Sequence, residues 1–144
     1  MSNNKVIGIL GGMGPYATLL FFENILSLTD ADKDWDHAHL VIDNNTKIPS
    51  RTRALLFEEQ SPFDCMLESC KRLQKYPVDI IIVTCNSAQY WIPDIQKIIK
   101  TPIINIISVT TEALFNKFNC KNIAVLGGYV TYEKELYKEE IEKN

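Results

Sequence analysis

The sequence is poor in the features that mark membrane, secreted, metal-binding and nucleic-acid-binding proteins. No apolar run approaches the roughly 20 residues that span a bilayer. The opening Met1-Ser2-Asn3-Asn4-Lys5 has neither the cationic region nor the cleavage site of a secretory signal. A cytoplasmic protein without a membrane partner is therefore expected. No block of like charge occurs, with 15 Lys and Arg against 18 Asp and Glu, so the charge pattern offers nothing to nucleic acid. Histidine is scarce. His37 and His39 fall at or before the start of an apolar run, away from any edge where a general base would be wanted. Cysteine occurs four times, as Cys65, Cys70, Cys85 and Cys120, but with no paired C-x-x-C spacing and no histidine cluster. That excludes the usual zinc patterns, so no metal is expected and the thiols should be reduced. A small molecule is the remaining kind of partner.

What is present is an α/β pattern. The 144 residues, 46% of them hydrophobic, suffice for one domain with a real core and not for two complete ones. The chain is organised around Ile80-Ile81-Ile82-Val83-Thr84-Cys85-Asn86-Ser87-Ala88, a β-branched run that stops at a cysteine followed by small polar residues. This reads as a buried parallel strand ending at the carboxyl edge of a sheet, where open α/β sheets bind ligands. A thiol there, at the start of a helix, meets free N–H groups that favour its thiolate. Cys85 is the leading candidate for chemistry; the alternative is a small buried residue closing a strand.

In chain order, residues 5–10 form a first strand. Gly11-Gly12-Met13-Gly14-Pro15 turns into an apolar helix from Tyr16 to about Leu28. Such a turn either approaches an anionic ligand with its N–H groups or serves geometry alone. The spacing is not the G-x-G-x-x-G of dinucleotide sites. A second strand, residues 39–43, leads into a long polar segment, Asn44 to Arg53. Its Arg51 and Arg53 can fork onto a carboxylate or be simply solvated, and Asn44, Asn45, Thr46 and Ser50 could line a polar pocket. Ser61-Pro62 starts a helix whose Phe63, Met66, Leu67, Cys70 and Leu73 share one face, leaving Cys65 off it. After Cys85, a short turn near residues 89–91 precedes a helix restarted at Pro93 that carries Ile95, Ile98 and Ile99 inward. Residues 101–105 make a fourth strand and residues 109–118 a helix. Residues 121–126 read as a fifth strand.

That last segment repeats the first. Ile7-Gly8-Ile9-Leu10-Gly11-Gly12 returns as Ile123-Ala124-Val125-Leu126-Gly127-Gly128, an offset of 116 residues, with Tyr16 answered by Tyr132. Two similar βα lobes are implied: residues 1–104 as the first, carrying Cys85, and residues 105–144 as the beginning of a second.

Three separated motifs, Gly8-Ile9-Leu10-Gly11-Gly12-Met13-Gly14-Pro15, Asn44-Asn45 with Ile48-Pro49-Ser50-Arg51-Thr52, and Thr84-Cys85-Asn86-Ser87-Ala88, together resemble the aspartate/glutamate racemase family. The resemblance implies a parallel sheet flanked by helices, the first lobe of a two-lobe pseudo-symmetric fold whose second lobe is truncated within these 144 residues. It implies a cofactor-independent amino-acid racemase in which two cysteine thiols, one from each lobe, move the α-proton. On that basis Cys85 is the first-lobe thiol, Arg51 binds a substrate carboxylate, and Met13, Gly14, Asn86 and Ser87 supply further donors. The ligand is expected to be an amino acid or a dicarboxylate. The chain departs from the family at Ser50, where many members carry an acid, and it contains no Gly-Cys-Thr-Glu, the second-lobe motif. Other readings are a non-catalytic carboxylate-binding fragment or remnant of such an enzyme, a related two-cysteine isomerase of the maleate or hydantoin type, and a homodimer that brings two Cys85 residues together.

Overall fold

A computed structural model describes residues 5–143; residues 1–4, part of the segment read above for a targeting signal, and residue 144 lie outside them. The described chain is built on a four-stranded, wholly parallel sheet in the order β2-β1-β3-β4. The strands are β1 (Val6–Gly11), β2 (His39–Asn44), β3 (Ile80–Val83) and β4 (Ile103–Ile104). β1 is central. It pairs Leu10 with Asp43 on one side and with Val83 on the other, so three strands end level with one another. Parallel strands covered on both faces need continuous apolar sequence, and β1 and β3 supply it: Ile9, Leu10, Ile81 and Val83 are fully buried.

The helices are α1 (Pro15–Leu28), α2 (Arg51–Phe57), α3 (Phe63–Leu73), α4 (Ile92–Ile98), α5 (Ile106–Glu112), α6 (Tyr129–Glu133) and α7 (Lys138–Glu142). A single 3-10 turn of helix, Ser87–Trp91, connects the end of β3 to α4. α3 is the most clearly amphipathic. It turns Met66, Leu67, Cys70 and Leu73 into the core against β1 and β2, and the Ser61 hydroxyl receives the Phe63 N–H at 3.2 Å to start it. Cys70 is fully buried there, while Cys65, off the buried stripe, packs at the edge of the same core. α1 is different: its one buried residue is Thr18, and Tyr16, Leu19, Leu20 and Leu28 stand largely in solvent. Among the described residues no helix is long and apolar enough to cross a membrane.

Several sequence expectations are corrected. The polar segment after β2 is not all loop, because Ser50 caps α2 by accepting the Arg53 N–H at 3.3 Å, and helix runs from Arg51 to Phe57. Ile98 is exposed; only Ile95 and Ile99 of that trio point inward. The helix expected over 109–118 begins earlier, at Ile106, where the Asn105 side chain accepts from the N–H groups of Ile107 and Ser108, and it closes as a π turn over Ala113–Lys117. The fifth strand does not form. Residues 121–126 are irregular, because no neighbouring strand among the described residues offers the ladder that extended backbone requires.

Candidate active site at the carboxyl edge of the sheet

The level ends of β1, β2 and β3 bring three loops together. In the loop after β1, Gly12 has φ +87°, and a Cβ on it would lie 2.3 Å from the Asn45 backbone, so only glycine lets this turn touch the turn after β2. Gly11 is equally confined, by the Thr18 side chain. Thr18 organises the turn. Its Oγ1 accepts the Gly12 N–H at 3.0 Å, lies 3.1 Å from the Gly14 carbonyl, and sits 3.1 Å from Thr84 Oγ1 at the end of β3. The Thr84 N–H in turn reaches the Leu10 carbonyl at 3.1 Å. The glycine turn and the residue preceding Cys85 are thereby held as one unit.

Cys85 follows directly, half-buried, as a free thiol. Behind it Gln89, buried on the 3-10 turn, donates through Nε2 to the carbonyls of Val83 at 3.3 Å and Cys85 at 3.2 Å. These bonds satisfy carbonyls where the strand gives out, and a buried carbonyl left unpaired costs about 1–3 kcal/mol. Gln89 Oε1 is buried without a hydrogen-bonding partner among the described residues. The other thiols sit elsewhere. Burial, with a smaller contribution from the nearby Asp43, pushes Cys70 up to about 12, and Cys120 follows the π turn with its N–H on the Leu114 carbonyl.

Arg51 lies at the start of α2 and reaches across to the glycine turn. Nη1 donates to the carbonyls of Ile48 at 3.3 Å and Pro49 at 2.8 Å, and Nη2 donates to the Met13 carbonyl at 3.1 Å. Nε is buried without a hydrogen-bonding partner among the described residues. Of five N–H donors, three bind backbone and one is enclosed, which leaves a single Nη2 hydrogen for a ligand unless a carbonyl contact opens. Arg53, the other candidate fork, faces outward and pairs with Glu59 at 2.7 and 2.5 Å, an exposed contact that raises the arginine's pKa. Asn45 and Ser50 are likewise occupied, Asn45 with Ser69 and the Lys47 N–H, Ser50 as the cap of α2.

A cavity of about 480 Å³ opens beside this edge. Asn86 and Ser87 form one wall, Thr52 another, and the segment from Val125 to Thr131 with Tyr137 the far side. Met13, Gly14, Arg51 and Cys85 adjoin the same strand ends without lining this cavity. The side-chain amide of Asn86 crosses the gap. Its Oδ1 accepts the Tyr137 hydroxyl at 2.8 Å and its Nδ2 donates to Thr131 Oγ1 at 3.4 Å. Burial raises the Tyr137 pKa, keeping the phenol protonated and able to donate. All six residues singled out from the sequence thus lie at one edge. Thr18, Thr84, Gln89, Thr131 and Tyr137 were not foreseen. Thr84 belonged to the cysteine motif without being assigned a role, Gln89 directly follows that motif, and Thr131 adjoins Tyr132 of the repeat; nothing local marked Thr18 or Tyr137.

The profile of the Asp/Glu/hydantoin racemase family matches residues 10–144. The broad-specificity amino-acid racemase RacX of Bacillus subtilis is 27% identical over 143 residues, covering 96% of this chain and 61% of its own length. Picrophilus torridus aspartate racemase superposes with a TM-score of 0.90 at 33% identity, over 96% of this chain and 59% of its own. An aspartate racemase homologue from Pyrococcus horikoshii shares the fold at a TM-score of 0.78 and 19% identity, again over 96% of this chain and 61% of the other. The chain therefore spans about three-fifths of the length of these relatives. With a parallel sheet presenting a thiol, a glycine turn and an amide at one edge, and with the family profile matched over nearly all its residues, the chain belongs to the Asp/Glu/hydantoin racemase family.

Proposed function

We propose that this chain supplies one half of an amino-acid racemase site, acting on an acidic amino acid such as aspartate or glutamate, with Cys85 as the group that exchanges the α-proton. The observation that carries the reading is the placement of Cys85: a half-buried free thiol at the end of β3, between the glycine turn and the cavity-lining Asn86 and Ser87. As thiolate, Cys85 removes the α-proton; the resulting carbanion is planar, and a second acid on the opposite face completes inversion. The α-proton of an amino acid is far less acidic than a thiol, so charge developing on the α-carboxylate must be met by donors. Each well-placed donor is worth about 2.7–4 kcal/mol in such sites. Arg51 through its remaining Nη2 hydrogen, the N–H groups around Met13 and Gly14, and the side chains of Asn86 and Ser87 are the donors we assign. The reaction so written uses no cofactor.

Residues 1–104 act in this reading as the first α/β lobe and residues 105–144 as the opening of a second. Cys85 serves one face only. Cys65 and Cys70 are on α3, packed at or in the core, and Cys120 lies beyond the π turn. Proton exchange at one face of the α-carbon, without racemisation, is what a single thiol allows these 144 residues. The exposed Leu126, Tyr129 and Tyr132 beside the cavity favour self-association, to be read by sedimentation.

The test incubates the chain with L-aspartate or L-glutamate in D₂O. Deuterium at the α-carbon with retained configuration, abolished in Cys85→Ser, is the expected outcome. Racemisation by the chain alone would require a second acid that this assignment lacks, and wash-in that persists in Cys85→Ser would remove the thiol from the chemistry. Alkylation by iodoacetamide supplies the control. The thiolate is the nucleophile, and a group held up to about 12 has almost none at neutral pH. Cys70 should therefore stay unmodified up to pH 9 in the folded chain, while Cys85 is labelled at pH 7.5, as peptide mapping will show.

A further inference from the structure

We propose that Tyr137 is a positioning residue for this site, holding the Asn86 amide so that Asn86 can face a ligand. The inference rests on the racemase-half reading above for the identity of that ligand, but its geometry stands apart from it. Asn86 follows Cys85, and its side chain hydrogen-bonds the thiol-bearing loop to the far wall of the cavity. The Tyr137 hydroxyl at 2.8 Å is the shorter of its two contacts; Thr131 Oγ1 at 3.4 Å is at the outer limit of a hydrogen bond. A terminal amide torsion is broad, so an Asn without a firm partner samples a wide range of orientations. The bond from Tyr137 narrows that range. It fills Oδ1 and leaves the Nδ2 hydrogens to Thr131 and to the cavity.

Tyr137 is suited to the task by its own setting. Tyr137 is half-buried at the end of the four-residue connection between α6 and α7, which is fastened by Leu136 N–H to the Thr131 carbonyl at 3.2 Å and Lys138 N–H to the Glu135 carbonyl at 2.9 Å. Val130, in the same hairpin, is buried in the main core. The hairpin therefore presents the hydroxyl from a fixed point. Residues 127–143 contribute no strand and no thiol to the edge, and their place in the site is this contact and the cavity wall.

The experiment uses Tyr137→Phe, which removes the hydroxyl and keeps the ring. L-aspartate binding is measured by calorimetry for the wild type, Tyr137→Phe, Asn86→Ala and the double variant, with melting temperatures alongside. Positioning predicts a five- to tenfold loss of affinity in Tyr137→Phe and a double variant no weaker than Asn86→Ala alone, with the melting temperature within a few degrees of wild type. Additive losses, or unchanged affinity in Tyr137→Phe, would overturn it. A second readout does not depend on the ligand. In ¹⁵N-labelled chain the Asn86 side-chain amide protons should differ, the one on Thr131 slow to exchange and the one facing the cavity fast, and in Tyr137→Phe both should move and the first should exchange faster. If the wild type fails to bind aspartate, the substrate reading fails and the amide protons alone decide the positioning claim. Fast exchange of both protons in the wild type overturns it even if Tyr137→Phe does not fold.

Discussion

The same pattern of residues occurs twice in this chain and folds only once. Ile7-Gly8-Ile9-Leu10-Gly11-Gly12 is the central strand of the sheet, with Ile9 and Leu10 fully buried; in Ile123-Ala124-Val125-Leu126-Gly127-Gly128 the counterpart Leu126 is 95% exposed and the backbone is irregular. Local propensity is the same in both. What differs is company: β1 has β2 on one side and β3 on the other, whereas residues 121–126 have no strand beside them among the described residues. A strand is stabilised by its cross-strand and facing neighbours far more than by any preference of its own backbone. The pair is an internal control for that rule.

The sharpest way to break the comparison is to make one substitution in both copies. Leu10→Ala empties a fully buried site and should cost about 2–5 kcal/mol in a urea melt. Leu126→Ala removes a side chain that stands in solvent and should change stability by less than about 0.5 kcal/mol. Comparable losses at the two positions would mean that the second copy is packed in solution. The glycines give a smaller contrast. Gly12→Ala forces a Cβ onto the Asn45 backbone at positive φ and should cost more than about 1 kcal/mol. Gly128, at φ −66° with open space around it, begins α6. There alanine lowers the freedom of the unfolded chain but is a poorer helix start, so the two effects nearly offset and the melt should hardly move.

The same contrast explains what could be read in advance. β1 to β4 were legible because their apolar runs meet partners, and the cysteine at the end of β3 was legible because the run stops there so abruptly. Residues 121–126 looked equally convincing and failed for want of a neighbour, which no local pattern reports. α2 was hidden for another reason. Ser50 read as a residue that could line a pocket, and it caps a helix instead. At the site, sequence marked Cys85, Asn86, Ser87 and the glycine turn, each tied to a local motif. It did not show that Arg51 would turn Nη1 and Nη2 onto backbone carbonyls, that Gln89 would fold back beneath Cys85, or that Tyr137 would reach Asn86 across 51 residues of chain. Those contacts depend on where the loops land once the sheet has formed.

The smallest expected difference separates the ion pairs of the two regions. In the sheet-bearing region Arg72 donates to Asp43 Oδ2 through Nε at 3.1 Å and Nη2 at 2.8 Å, and Nη2 also reaches Ser69 Oγ at 2.7 Å. Ser69 is buried and receives Asn45 Nδ2 at 3.1 Å, so the arginine fastens α3 to the end of β2 and to the loop that touches Gly12. In the carboxyl-terminal region Lys138 meets Glu135 at 2.8 Å with both side chains largely in water and only a weaker attraction from Glu142 beside it. Exposed pairs of the second kind contribute little, because water screens the charges and two long side chains lose freedom in making the contact. Arg72→Met should therefore lower stability by about 1 kcal/mol, discounted for the arginine's own partial exposure. Lys138→Met should leave the urea midpoint where it is. Raising the salt to molar strength tests the cause: screening should shrink the Coulombic part of the Arg72 effect while its hydrogen bonds to Asp43 and Ser69 keep the remainder. An Arg72→Met cost that vanishes entirely in salt would reduce this contact to the same surface pairing as Lys138 with Glu135. It would leave the glycine turn, and not the ionic network, as what holds the loop after β2 against the thiol-bearing edge.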